Sequence, residues 1–344
     1  MNKVILALLL LPPAIGELVS GSSPPLLFFN PFTISILVLL YGCGTLLIRE
    51  AKARWKLQWS IIFLAMAYGI IEEGITVKSF FNPRWVDMGV LSGYAMYFGV
   101  QWVWTIGLIA YHATISTLVP IVIIDELWPE YKDIPMLGKK GIILAFSGLG
   151  LVMIGGMAFL GTMENNKMVP YFPGPFLLPA AFLTVFLLIW LAYRFRNSRI
   201  STSAPFVLMP FLFGLSGFLF QLINLTLPGG LAKANVPALV TLIVQSAIII
   251  LALLFIIFQV YHKNATQRHI IALTSGSLLF WILLAPFHEF LKGLNNDPTQ
   301  GMIIVGIAGF ISLLAWRKAV LKKIKGYNVN GALGGRPRRY RPDA

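Results

Sequence analysis

The amino-acid sequence predicts an all-α protein, a polytopic bundle of about ten transmembrane helices with both termini in the cytoplasm. Apolar residues make up 57% of the 344 residues and charged residues only 12%. A soluble globular protein carries roughly a quarter charged residues. Apolar stretches of about 20 residues, the length that crosses a hydrocarbon layer of about 30 Å, recur along the chain. This composition excludes an ordinary soluble domain.

The predicted spans are apolar runs bounded by loop signals. They cover the ranges 4–19, 31–48, 58–77, 98–124, 141–161, 174–193, 205–225, 237–261, 270–290 and 301–316. The first run contains Pro12 and Pro13, which are expected to break a spanning helix. Two interpretations of residues 1–16 stay open, a cleaved secretory signal and a short or kinked first span. We favour the span, because a short apolar run with two prolines fits a half-helix within a bundle.

The basic residues predict the orientation. Only five of the 27 Lys and Arg residues lie in the predicted outer segments, and they are Lys78, Arg84, Lys167, Lys233 and Lys292. An excess of basic residues marks the cytoplasmic side. We therefore expect one transmembrane domain over 1–316 in the plasma membrane, followed by a basic, disordered cytoplasmic tail over 317–344. The net charge of +14 then indicates contact with anionic lipid and not with nucleic acid.

Glu72 and Glu73 are the carboxylates that lie well inside a predicted span. An acid in the membrane costs several kcal/mol unless it is paired, protonated or hydrated, so it indicates a functional site. Helical spacing puts Tyr68 on the same face as Glu72. Two acids this close in a low dielectric are not expected to ionise together freely, so we expect one to hold a proton. The alternative is a structural acid that bonds to a hydroxyl across a packing seam.

His112 lies in the middle of the fourth predicted span, four residues before Ser116, in a polar stretch. At about 1.5 Å per residue, Glu72 lies about 12 Å and His112 about 18 Å from the outer ends of their helices. Side chains on antiparallel neighbours can close this offset. We therefore predict that the Glu pair and His112 form one site, although a lone His is more often a hydrogen-bonded core residue.

His288 follows Pro286 near the outer end of the ninth predicted span, where an interfacial role is as frequent as a functional one. With Glu289 it does not form a zincin motif, because Lys292 occupies the position of the second His in HExxH. His288 is therefore predicted only as an additional site residue. Tyr68 and Ser116 are two further candidates.

Residues 60–120 resemble the CPBP family of Rce1-like intramembrane proteases. Glu72 and Glu73 match the start of its EExxxR motif, and His112 to Ser116 resembles its HxxxN element. The resemblance implies that the Glu pair and histidines activate water within the bilayer. The chain departs from the pattern, because Val77 and Lys78 stand where the Arg is expected and no FxxxH element is present. The water-activating set is incomplete unless His288 supplies the second histidine.

Three functional classes remain open. In the first, an intramembrane hydrolase, Glu72 or Glu73 is a general base and His112 stabilises an oxyanion or binds a divalent metal ion. Glu73, His112 and His288 are the candidate metal ligands. The second is a secondary transporter coupled to protons or a cation through the same acids. The third is a non-catalytic protein of membrane assembly or lipid handling. The sequence contains no cofactor-binding motif and indicates neither a substrate nor an oligomeric state.

Overall fold

The computed structural model is mostly helical and describes residues 1–164, 167–202, 205–291 and 298–332. The α-helices are α1 (Asn2–Pro13), α2 (Pro25–Phe28), α3 (Pro31–Leu37), α4 (Cys43–Trp55), α5 (Ile61–Gly69), α6 (Trp102–Tyr111), α7 (Val119–Leu127), α8 (Lys139–Phe159), α9 (Leu177–Arg194), α10 (Pro210–Lys233), α11 (Ala238–Phe255), α12 (Gln267–Leu291) and α13 (Met302–Ala332). Five stretches of π-helix continue or join them: π1 (Ala14–Val19), π2 (Val38–Gly42), π3 (Ile70–Thr76), π4 (His112–Leu118) and π5 (Ile256–Val260). The described residues also form two 3-10 helices (Val86–Leu91 and Pro129–Tyr131) and two short antiparallel hairpins, β1 (Met96–Tyr97) with β2 (Val100–Gln101) and β3 (Gly161–Glu164) with β4 (Lys167–Pro170).

Nine helices within the described ranges are long and apolar enough to cross a membrane. They are Asn2–Val19, Pro31–Trp55, Trp102–Leu127, Lys139–Phe159, Leu177–Arg194, Pro210–Lys233, Ala238–Val260, Gln267–Phe290 and Met302–Ile324. An all-α polytopic bundle is thereby confirmed. The predicted span at 58–77 is also helical, but α5 and π3 contain only nine and seven residues. At about 1.5 Å per residue they extend about 24 Å, less than a typical hydrocarbon layer.

The first helix continues through Pro12 and Pro13, where the sequence predicts a break. The two proline rings are buried, and the hydrogen-bond register widens directly after them as α1 passes into π1. A wider turn accommodates residues that lack an N–H group without ending the helix. Val4 and Leu8 are buried in the main apolar cluster with side chains of α4 and α5, so this helix is an integral part of the bundle.

The last helix passes the predicted boundary at residue 316. Trp316, Val320 and Ile324 follow one another at helical spacing, and all three pack in the apolar cluster that includes α12. Lys323 donates a hydrogen bond to the carbonyl oxygen of Leu127 at the end of α7. The boundary at 316 rested on the onset of basic residues, whereas the apolar face of the helix continues beyond it. Residues 333–344 of the predicted tail lie outside the described residues.

A network of charged groups closes the predicted inner end of the bundle. Asp125 on α7 lies 3.5 Å from Nε of Arg49 and 2.7 Å from Nζ of Lys52, both on α4. The Arg49 guanidinium also donates to the carbonyl oxygens of Tyr131 and Ile134 in the loop that follows α7. This loop is therefore folded back onto α4, and the buried charges are paired.

The segment between π3 and α6 covers the predicted outer end of the site. Lys78 is fully buried, and its ammonium group donates to the carbonyl oxygens of Met157 and Leu160 at the end of α8, at 2.7 and 2.8 Å. Burial lowers the pKa of Lys78. Asn82 bonds to Thr162 on β3, at 3.1 Å. These contacts hold the end of π3, and the acids on it, against α8.

Candidate active site in the bundle

Four of the π-helical stretches meet at one place. They carry Glu17 (π1), Tyr41 (π2), Glu72 and Glu73 (π3) and His112 (π4). Tyr41 bonds to Glu17, its ring lies 6.2 Å from the imidazole of His112, and His112 contacts both Glu72 and Glu73. A π-turn inserts an extra residue into a helix, is rare, and occurs frequently at functional sites. The helices thus depart from regular geometry where their polar side chains converge.

His112 lies between the two carboxylates. Nδ1 is 2.9 Å from Oε2 of Glu72, and Nε2 is 3.3 Å from Oε1 of Glu73. The predicted proximity of the Glu pair and His112 is therefore confirmed. The three residues are named the triad below. Glu72 and His112 are each 3% exposed and Glu73 is 14% exposed, so Glu73 is the most accessible member.

Ser116 stands one helical turn after His112, and its Oγ lies 3.2 Å from Nδ1. Nδ1 therefore faces both Ser116 and Glu72, and Thr45 on α4 anchors the Ser116 carbonyl at 3.3 Å. The ring of Tyr111 packs edge-on against the imidazole with centroids 4.9 Å apart. These contacts fix the orientation of the imidazole, and they place the further candidate Ser116 against His112.

Glu73 is oriented from the opposite side. Oε2 accepts a hydrogen bond from Ser79, and the indole N–H of Trp104 donates to the same Ser79 hydroxyl at 3.0 Å. The carboxylate of Glu73 is thus held between a hydroxyl and an imidazole. Ser79 and Trp104 were not predicted, because they lie in a connecting segment and near the start of α6, where the sequence shows no distinctive pattern.

Tyr68 is buried beside Glu72, as its helical spacing predicted. Its ring packs edge-on against Tyr41, with centroids 6.1 Å apart. Among the described residues its hydroxyl has no hydrogen-bond partner that meets regular geometry. The Tyr68 hydroxyl is therefore a buried donor beside Glu72.

Glu17 is a functional candidate that the sequence analysis missed. One carboxylate oxygen accepts a hydrogen bond from the Tyr41 hydroxyl, and the other accepts one from Ser23 at 2.5 Å. Glu17 lies at the end of an apolar run. A charged residue at such a position usually marks the start of a loop, so it does not stand out as a buried acid. Its signal was the group of polar residues Glu17, Ser20, Ser22 and Ser23 directly after the apolar run.

His288 is not part of the triad, and the described residues do not bring the candidate metal ligands Glu73, His112 and His288 together. Its ring lies against Gly21, where a methyl group would stand 2.7 Å from Cδ2. Gly21 has a φ of +85°, which favours glycine, and the turn brings the backbone against the imidazole. The ninth predicted span therefore presents His288 to the end of the first helix, beside Ser20.

Glu72, Glu73 and His112 are a group that could hold a metal ion, since each offers a ligand atom within 4.8 Å of the others. The spacing of 3.3 Å between Nε2 and Glu73 suits two neighbouring ligands at about 2.1 Å from a tetrahedral ion. Glu72 faces the other ring nitrogen, which is the usual place of a carboxylate that orients a histidine ligand. In this arrangement Glu73 and His112 supply two ligands, one fewer than a catalytic zinc site normally has.

The profile of a family described as an uncharacterized membrane protein family matches residues 5–283. The chain belongs to this family. The comparison with curated proteins and the comparison with solved structures found no match. The matched region includes Glu17, Tyr41 and the whole triad, whereas His288 lies beyond its end.

Proposed function

We propose that the protein is an intramembrane hydrolase in which the triad activates water. The observation that carries the proposal is the position of His112 between two carboxylates, only one of which is partly open. Glu72 holds the imidazole at Nδ1. Nε2 of His112 and the carboxylate of Glu73 can then both act on a reactant. This is the division of roles that a general base and its oriented partner require.

Glu73 is the general base. It takes a proton from a water molecule, and the water oxygen forms a bond to the carbonyl carbon of the substrate. The carbonyl oxygen becomes an oxyanion, to which Nε2–H of a protonated His112 and the hydroxyl of Tyr68 donate. When the intermediate collapses, the proton on Glu73 passes to the leaving group. Water is thereby added across one amide or ester bond.

The resemblance of residues 60–120 to Rce1-like proteases supports this reaction class, because that family uses a Glu pair with histidine. The second histidine of that pattern has no counterpart in the triad. Tyr68 offers a replacement for the missing donor, since its buried hydroxyl lies beside Glu72. The positive-inside distribution supports a site in the outer half of the plasma membrane.

A second candidate function is proton-coupled or cation-coupled transport. The observation that favours it is a row of titratable groups within the bundle: Glu17 accepts from Tyr41, and the ring of Tyr41 packs beside the imidazole of His112. Such rows carry protons in pumps and transporters. A transporter and a hydrolase would both require Glu73. The two functions are therefore distinguished by the result of turnover, which is a hydrolysis product for one and a proton or cation flux for the other.

The test uses membranes that contain the wild type, Glu73→Gln or Glu130→Gln, incubated in water labelled with heavy oxygen. Glu130 is an exposed carboxylate in the loop after α7 and serves as the matched control. Lipids and peptides are then compared by mass spectrometry. We expect labelled carboxyl products from the wild type and from Glu130→Gln, with Glu73→Gln reduced by about 100-fold or more.

Equal labelling in the wild type and Glu73→Gln would refute the hydrolase. The same proteins reconstituted in vesicles with a trapped pH-sensitive dye report proton movement. Loss of a proton flux in Glu73→Gln, without any labelled product from the wild type, would establish the transporter in its place. A chelator arm tests whether the wild-type activity requires a divalent metal ion.

A further inference from the structure

An apolar groove on the surface of the bundle separates the first two spanning segments. It lies between α1 with π1 on one side and α2, α3 and π2 on the other, and its volume is about 260 Å³. The residues that line it are all apolar, and they include Leu10, Ala14, Leu18, Phe29, Ile34 and Val38. Leu10 and Phe29 are 44% and 63% exposed, so the groove is open to its surroundings.

The surroundings of the groove are hydrocarbon and not water. Its walls belong to the first two spans, Asn2–Val19 and Pro31–Trp55, and to the short helix α2 between them. Within the bilayer core, a polar group without a hydrogen-bond partner costs several kcal/mol. A groove with apolar walls in this place therefore binds an apolar group.

The size of the groove favours a single hydrocarbon chain over a helix of a second protein. A helix with its side chains is about 10–12 Å wide, so one turn of it fills roughly 500 Å³, about twice the volume of the groove. Leu10 and Ser20 lie about 15 Å apart along the first helix at 1.5 Å per residue. This distance is half of a hydrocarbon layer of about 30 Å, which is the depth that an acyl chain of one leaflet covers.

A polar turn follows the apolar groove along the first helix. In this turn Ser20 bonds to Ser22 at 3.1 Å. Glu17 is half-buried beside it, and its carboxylate accepts hydrogen bonds from Ser23 at 2.5 Å and from Tyr41. Hydroxyl groups are its partners in the described part of the chain, where no Lys or Arg side chain pairs with it. The turn therefore combines hydroxyl groups with a carboxylate that lacks a basic partner.

We propose that the groove and the turn together bind phosphatidylethanolamine, with one acyl chain in the groove and the ammonium group at Glu17. The site requires a ligand in which an apolar chain and a cationic headgroup with N–H donors are adjacent. A primary ammonium group has three such donors, and Glu17 and the serine hydroxyls are acceptors for them. A hydrogen bond between two charged groups is about twice as strong as one between neutral groups. This site is separate from the triad and does not depend on the proposed hydrolase.

Phosphatidylcholine is the comparison that isolates the headgroup. It has the same net charge and can carry the same acyl chains, but its methylated nitrogen has no hydrogen to donate. Basic residues of the predicted inner loops attract anionic lipids, and they do not distinguish two zwitterionic ones. A preference for phosphatidylethanolamine therefore reports hydrogen bonds to the ammonium group.

The test measures the binding of single lipids to the purified full chain in detergent by native mass spectrometry. Phosphatidylethanolamine, its monomethyl and dimethyl derivatives and phosphatidylcholine, all with palmitoyl and oleoyl chains, are titrated separately. We expect the wild type to bind phosphatidylethanolamine about tenfold more tightly than phosphatidylcholine, with the derivatives in the order of their methylation. This series removes the donors one at a time without changing the protein, so it decides the headgroup even if a variant does not fold.

Two variants test the two parts of the site. Glu17→Gln should reduce the preference for phosphatidylethanolamine to less than about twofold and leave the binding of phosphatidylcholine unchanged, because it removes the charge and keeps the shape. Ala14→Phe should weaken the binding of both lipids by about tenfold, because its ring fills the groove. The matched controls are Glu130→Gln in the loop after α7 and Ala180→Phe on α9, since both residues are exposed, and neither should change the binding.

Equal affinities of the wild type for phosphatidylethanolamine and phosphatidylcholine would overturn the proposal, and so would an unchanged preference in Glu17→Gln. If Ala14→Phe binds both lipids as tightly as Ala180→Phe does, the acyl chain does not lie in the groove. Shortening the acyl chains of phosphatidylethanolamine tests the same point in the wild type, where unchanged affinity would also overturn the groove as the binding site.

Discussion

Replacing Asp125 with alanine is expected to destabilise the predicted inner end of the bundle. The carboxylate lies 3.5 Å from Nε of Arg49 and 2.7 Å from Nζ of Lys52, and Arg49 is fully buried. Removing one partner of a buried ion pair costs about 3–5 kcal/mol, because the remaining charge has no counter-ion. Arg49 keeps two carbonyl acceptors and Lys52 keeps the Lys132 carbonyl at 3.2 Å. We therefore expect the lower limit, about 3 kcal/mol.

The assay is reversible unfolding in mixed micelles of dodecyl maltoside and sodium dodecyl sulfate, followed by circular dichroism. The matched control is Asp133→Ala, since Asp133 lies 3.6 Å from the same Lys52 but is 67% exposed. An exposed pair of this kind contributes less than about 1 kcal/mol. Adding Lys52→Met to Asp125→Ala should recover part of the lost stability, because it removes one of the two positive charges that lose Asp125. If Asp125→Ala and Asp133→Ala unfold alike, the inner network does not stabilise the fold.

Two further predictions concern packing and orientation. Gly276→Ala should cost about 1–3 kcal/mol in the same assay, because the added methyl group would overlap the carbonyl oxygen of Gly214 between α12 and α10. Gly150→Ala is its control, since no atom lies within 4 Å of the added group, and equal effects would contradict close helix packing at Gly276. For orientation, a reporter fused after Arg54 should read cytoplasmic and one fused after Asn166 external. An external signal at Arg54 would invert the topology.

The pairing of the Glu residues with His112 followed from the sequence, because helix length and rise per residue determine depth in a membrane. Glu72 and His112 were assigned similar depths on consecutive antiparallel helices. For the two side chains to meet, each helix then had only to be rotated about its axis so that its polar side chain faced the other helix. The presence of two acids and a histidine indicated that rotation, since each is costly when it faces lipid. Tyr68 and Ser116 followed from spacing on the same helices.

Glu17 and His288 show where this reasoning stops. Both lie near the same predicted surface, and depth alone is compatible with either one joining the triad. The structure directs Glu17 to Tyr41 and His288 to Gly21. The choice depends on which helices are neighbours across the bundle and how each is rotated. Neither quantity is contained in the apolar pattern of a single helix.

Asp125 marks a second limit. In the sequence it stands at the end of an apolar run next to a loop, so it is expected to be solvated. The loop after α7 instead folds back onto α4, and Asp125 becomes 4% exposed beside Arg49. Long-range contacts of this kind arise from the path of a connecting segment, which local propensity does not specify.

The sequence by itself determined the class of the protein, the approximate position of nearly every span and the membership of Glu72, Glu73 and His112 in one site. These properties follow from the cost of placing polar groups in hydrocarbon, a cost that each segment carries independently. Only the tertiary structure decided the continuation of α1 through two prolines, the extension of α13 beyond 316, the addition of Glu17 and the exclusion of His288. Those outcomes depend on the simultaneous packing of several helices, in which each contact is possible only because the others are made.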